Sequence, residues 1–276
     1  MARPFPPRRA FPLAESVVML RWTTAVAAGC NLMFGAVTAR AQMRASGQSL
    51  RMDVGVAAST RTDAAVSPDR FDGFGSDLGM TYLVRAKHAD LRLAARGGVR
   101  ALRSLTASGV AQSTERTTQA DLTLDAFRAP PSATSRLELG LEARAGGLLI
   151  AHRPPDAGST WFGFATATLG PAFAWSRVSR LGALELTGGA AAIGLVVQPY
   201  ESLRSVSPPS GARGATVASL QSFQTALHYV PRRIGIGSRV SYEYRAALLR
   251  YAGDSPVREL TQALSIALAL GGGPPE

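Results

Sequence analysis

Cysteine is almost absent. It occurs once, at Cys30, so no disulfide can form within the chain and no cysteine pair exists for metal or redox chemistry. Lysine also occurs once, at Lys87, and the formal charge of +11 is therefore carried almost wholly by arginine. Aromatics make up only 7%. No run of basic residues is interleaved with aromatics, which argues against a nucleic-acid partner. The three histidines sit in His88-Ala89-Asp90, His152-Arg153-Pro154 and His228-Tyr229-Val230, and none has the serine two places on that esterase-type barrels use. Metal-ligand spacings, nucleophile elbows and phosphate-binding loops are missing. Gly73-Phe74-Gly75 is an isolated G-x-G with no helix after it. These absences predict no catalytic residue, no cofactor and no metal. His152 and Asp156, in one expected outer loop, are the remaining enzyme candidates, against the ordinary reading of a solvated loop histidine. His88 and Asp90 fall in an expected turn at the opposite end.

Long apolar runs are also scarce. Beyond Gln42 no uncharged apolar stretch reaches the ~18 residues of a spanning helix. The one long run, Trp22 to Thr38, follows Arg21 and ends at Ala39-Arg40-Ala41, an A-x-A cleavage pattern before Gln42. Residues 1–41 therefore read as a signal peptide, with Met19 the expected true start and 1–18 an over-extended beginning. A spanning anchor, and lipidation at Cys30 after Ala28-Gly29, are the alternatives. The mature chain would run from residue 42.

Two-residue alternation is what the chain has in abundance. From Ser135 to Ile150, Leu137, Leu139, Leu141, Ala143 and Ala145 alternate with Arg136, Glu138, Gly140, Glu142 and Arg144. Only a strand puts such residues on opposite faces. The pattern recurs around Leu50–Ala57, Leu78–Arg85, Leu91–Arg100, Ala120–Ala126, Thr160–Trp175, Leu184–Ala192, Thr216–Val230, Arg239–Leu248 and Glu259–Leu270. That predicts about ten strands (eight to twelve) across 42–270, then a flexible tail at 271–276. Glycine, at 28 residues, suits closely packed strands and turns. Connections alternate long and short: Arg61–Ser76, Arg103–Glu115 and Pro199–Arg213 are long and Ala151–Ser159 intermediate, while Lys87–Asp90, Ser176–Arg180 and Pro231–Arg233 are short and Arg128–Thr134 shorter than its predecessor; Gly253–Pro256 is the exception, short where a long loop is due. An antiparallel up-and-down transmembrane barrel with both ends on one side has this rhythm. Pro171 inside the sixth strand should mark a bulge or the rim. Trp161 and Trp175 share one face near opposite ends of their strand, as belt aromatics do.

The export signal, the strands and the loop rhythm together resemble a bacterial outer-membrane β-barrel of the small OmpA- or porin-like general class. No diagnostic motif accompanies the resemblance, so no functional residue is carried over. It implies an outer-membrane location, lipid as a partner, and surface ligands at loops 61–76 and 199–213. Apolar faces should then meet lipid, and the charges should face the lumen: Arg51, Asp53, Arg92, Arg96, Arg100, Asp121, Asp125, Glu138, Glu142, Arg144, Glu185, Arg239, Glu243 and Arg245. Barrels this small are filled by their own side chains, and buried charge requires pairing. The expected role is a plugged structural or surface-interaction barrel, with Arg92, Arg96 and Arg100 pairing with Asp121 and Asp125 on the next strand. A narrow channel for small solutes or ions, and a lipid-modifying enzyme, are the alternatives. A secreted soluble sandwich would bury the leucines and expose the charges instead.

Overall fold

The computed structural model describes residues 48–63, 67–85, 89–104, 113–128, 135–154, 159–197, 212–232, 240–253 and 256–270. The expected signal peptide, Arg239 and the tail 271–276 lie outside the described residues, as does Asp156. The described part contains twelve strands and no helix: β1 (Gln48–Asp63), β2 (Ser67–Arg85), β3 (Ala89–Ser104), β4 (Thr114–Arg128), β5 (Ser135–Arg153), β6 (Thr160–Val178), β7 (Gly182–Ala190), β8 (Ile193–Val197), β9 (Ala212–Thr216), β10 (Leu220–Pro231), β11 (Val240–Tyr251) and β12 (Val257–Leu270).

Every pairing is antiparallel, and β1 closes on β12 while β5 closes on β6. The circuit runs β1-β2-β3-β4-β5-β6-β7-β10-β11-β12 and back to β1, ten staves in all. β8 continues the stave of β7 along β6, and β9 pairs with β8. The stagger can be followed through the register. From Leu102 on β3 the paired residues are Gly73, Ser59, Thr261, Ala247, Gln224, Gly189, Ala172, Gly140 and Phe127, and the circuit returns to β3 at Asp90. The return point is twelve residues from the start. For ten staves that stagger gives a strand tilt of roughly 40° and a backbone radius of roughly 10 Å, from standard strand spacings.

The faces decide between barrel and sandwich. Leu139 is 69% exposed and Val56 66%, and Leu78, Leu124, Leu264 and Ile266 are exposed as well. Asp53 is 4% exposed and Arg100 3%. The leucines face outward and the ions inward, the order a barrel needs when hydrocarbon is its solvent. The soluble-sandwich alternative is thereby excluded. On β12 the outward apolar band runs from Leu268 to Leu260, roughly 20 Å along the barrel axis at that tilt.

One expectation about connections needs correction, and another falls mostly outside the described residues. Arg61–Ser76 is not a loop: Arg61–Asp63 ends β1 and Ser67–Ser76 belongs to β2. Its Asp and Gly content reads as loop, but the inward glycines admit neighbouring chains and the polar residues stand on strand beyond the apolar band. Of the long connection Pro199–Arg213, residues 199–211 lie outside the described residues, and Ala212 and Arg213 are in β9. One of the three long connections was therefore strand read as loop, since 64–66 alone separates β1 from β2.

Pro171 faces outward in β6, and its pairing with β5 stays in register at Leu141. The irregularity lies in the next stave. Ala172 pairs with Gly189, whereas Leu169 pairs with Ile193, so β7/β8 carries one extra residue opposite Gly170–Pro171. Inward parity accordingly switches from Glu185, Thr187 and Gly189 to Gly194 and Val196. A proline that cannot donate to the ladder sits where the ladder is already broken.

Candidate functional site: the barrel lumen

Inward side chains fill the barrel in layers. The rim bearing Gln48 and Leu270 is here the terminal rim, and the other the distal rim. Near the terminal rim Arg136 bonds Asp90 at 3.4 Å and pairs with Glu138. Above them Arg92 crosses the lumen from β3 to pair with Glu185 on β7, and its guanidinium carbon lies 5.9 Å from the Phe127 ring centroid. His228 Nε2 lies 2.7 Å from Ser241 Oγ, and His228 Nδ1 lies 3.8 Å from Glu185 Oε2.

The middle layer centres on Glu243, whose two oxygens take Arg51 at 2.6 Å and Arg96 at 2.8 Å. Asp53 stands among the charges of Arg96, Arg245 and Arg51, yet neither of its oxygens has a hydrogen-bond partner. Gln224 donates to Glu142 at 2.5 Å. Arg245 pairs with Asp77, which also lies 3.8 Å from Arg100. Arg100 reaches Gln119 at 2.6 Å and Glu259 at 3.3 Å. Arg144 bonds Asp121 at 3.1 Å.

Glycine makes this crowding feasible. A Cβ on Gly79 would strike the Asp53 carboxylate, and one on Gly189 would strike that of Glu142. Each acid folds against a wall stripped to backbone, which leaves the axis to the arginines.

At the distal end the filling changes character. Leu148, Ile150, Phe162, Phe164, Val196 and Tyr251 belong to one buried apolar cluster inside the barrel. Beside it Arg61, 1% exposed, bonds Asp63 at 2.6 Å and approaches Glu115 at 3.6 Å. His152 is not a solvated loop residue. It is the penultimate residue of β5, points inward, lies 3.3 Å from Glu115, and packs edge-on against Phe71 and Phe162.

The described members of the expected charge network all lie on inward faces. Their partners differ from those expected. The register does set Arg92 opposite Asp125 and Arg96 opposite Asp121. The guanidiniums nevertheless span the lumen to β7 and β11, and Asp125 keeps an oxygen without a hydrogen-bond partner. A long side chain on a wall about 10 Å from the axis reaches the far wall's partners as readily as the next stave's. Sequence reasoning missed Arg61, Asp63, Asp77 and Glu115, having placed the first two and Glu115 in loops. Carrying the parity of Arg51 and Asp53 forward along β1 would have found Arg61 and Asp63.

Among the described residues the packing leaves small spaces, two of which lie among the lumen charges. One, about 40 Å³, lies among Arg51, Arg92, Asp125, Glu142 and Glu185. The other, about 50 Å³, lies among Asp121, Arg144, Thr166, Leu249 and Glu259. Each has room for roughly two to four waters. Among the described residues no group of three His, Cys, Asp or Glu side chains is placed to hold a metal ion.

No protein-family model matches the sequence, and no curated protein matches it. Among solved structures, the outer-membrane protease OmpT from Escherichia coli aligns over 80% of this chain and 96% of its own, at 10% identity and TM-score 0.46. The translocator domain of the autotransporter NalP from Neisseria meningitidis aligns over 89% and 97%, at 10% identity and TM-score 0.41. The attachment invasion locus protein Ail of Yersinia pestis aligns over 82% and 99%, at 9% identity and TM-score 0.32.

Proposed function

We propose that this chain is an outer-membrane β-barrel closed to solutes, with a structural role or a binding role at its distal rim. The observation that carries the reading is the filled axis. Arg51 and Arg96 meet on Glu243 at mid-barrel, and the Ile150–Phe162 cluster occupies the distal end. An ion crossing this lumen would have to break charge-assisted bonds and then enter an apolar constriction, both costly. The test is conductance. Purified, refolded protein in planar lipid bilayers should give no discrete current steps. Steps whose ion selectivity changes in Arg96→Glu would replace this reading with a channel.

One observation favours a second reading, a hydrolase. Ser241, His228 and Glu185 stand in the order nucleophile, base and orienting acid. Against it, Ser241 is 3% exposed, Glu185 is engaged by Arg92, and the Glu185–His228 separation of 3.8 Å is long for a hydrogen bond. A fluorophosphonate probe should leave Ser241 unlabelled in the folded protein. Labelling abolished by His228→Ala would establish the hydrolase.

A further inference from the structure

We infer that the outer wall of the barrel, at the distal edge of its apolar band, binds phosphate groups of the membrane's outer-leaflet glycolipid. The inference rests on the outer-membrane reading above and adds a specific surface to it. On four staves the outward position just beyond the apolar band is arginine (Arg103, Arg153, Arg250 and Arg258), and on two more Arg70 and Arg116 stand one outward step farther, past Asp72 and Thr118; all six are exposed. They fall into two groups by register. Arg70 on β2, Thr62 on β1, Arg258 on β12 and Arg250 on β11 form one continuous cross-strand row. Arg103, Asp72's partner on β3, and Arg153 share a second row through Thr114, with Arg116 one outward step below on β4.

The first row carries the stronger argument. Arg250 and Arg258 stand directly opposite each other. Like charges so placed, with Cβ atoms about 5 Å apart, repel and destabilise a sheet. Neither has an ion-pair partner among the described residues. The carboxylate beside the row, Asp72, is taken by Arg70 at 3.1 Å. Two guanidiniums at this spacing offer a fork of donors that matches one phosphate, and the anion would turn repulsion into attraction. Position selects the source. The row lies two residues past Leu260 and Leu248 on their staves, the level at which a bilayer's polar headgroups begin. Basic residues there are drawn to anionic headgroups.

The test uses the full barrel reconstituted in phosphatidylcholine nanodiscs, titrated with bisphosphorylated lipid A and with its dephosphorylated form. The wild type should bind the phosphorylated lipid at least tenfold tighter, and its unfolding temperature should rise with that lipid alone. Arg250→Gln/Arg258→Gln should lose most of the preference while unfolding, without glycolipid, at the same or a higher temperature. Arg250→Lys/Arg258→Lys should retain part of it. Equal binding of both lipids by the wild type, or an undiminished preference in the Gln variant, would overturn the proposal. So would competition by millimolar inorganic phosphate as effective as by the lipid, which would assign the row to a free anion. Loss of the boiled-versus-unboiled mobility difference would instead count against the barrel reading beneath it, so the two failures are distinguishable.

Discussion

Glu243 has the most exacting position of any single residue in the lumen. One carboxylate on β11 neutralises two arginines, one from β1 and one from β3, at 2.6 and 2.8 Å. Replacing it with Gln keeps the shape and removes the charge, so Arg51 and Arg96 lose the carboxylate they bond and are left with the nearby but unbonded charge of Asp53. Breaking a buried pair in this way costs on the order of 3–5 kcal/mol. Glu243→Gln should therefore lower the urea midpoint of the detergent-folded protein substantially. Gln224, which donates to Glu142 from the same layer, holds no ion pair, and Gln224→Glu would set a second carboxylate against the first. An unchanged midpoint in Glu243→Gln would mean that water already shares the load in the space beside it.

A strand's two faces answer to different solvents. On β12 the outward Leu260, Leu264, Ile266 and Leu268 interleave with the inward Glu259, Thr261, Ala263 and Ser265. Leu264 lies mid-band and should be the position least tolerant of charge. Leu264→Arg should cost about 2–4 kcal/mol in lipid, the depth-dependent figure for arginine on a barrel's lipid face. Arginine at Gln262, one outward step nearer the distal rim, should cost less. Refolding yield into vesicles, measured side by side, checks the order. A greater loss from the Gln262 change would mean that the band is misplaced along the strand. At the same scale, the one-residue excess in β7/β8 opposite Pro171 re-aims Val196 into the apolar cluster, a local insertion that changes what the lumen contains several residues away.

At the scale of the whole molecule, closure is the governing property. With β1 on β12 and β5 on β6, the ten staves leave no long edge unpaired, so backbone groups at membrane depth are satisfied within the wall. Unfolding such a wall requires breaking the ladder all round, and the folded form should persist in mild detergent. Unboiled protein should accordingly migrate differently from boiled protein in a gel. Identical migration would count against a closed barrel.

The sequence by itself determined the faces. Period-two alternation in Leu137–Ala145 or Leu260–Leu270 needs no partner to be legible, because a strand's pleat assigns each residue to a side through local geometry alone. It determined the approximate strand number too, since each alternating run is one crossing. Strand ends escaped it. The run Arg61–Ser76 is Asp- and Gly-rich, and it is strand because its two halves pair with each other, with β12 and with β3. The inward Phe162 and Phe164 escaped it as well, because small residues fill both faces of β6. Tertiary structure alone decided who pairs with whom. Arg92 and Asp125 are register neighbours, and Arg92 and Glu185 are 93 residues apart; the closed wall and its twelve-residue stagger bring the second pair together, because an ion pair depends on distance in space and the sequence records only distance along the chain.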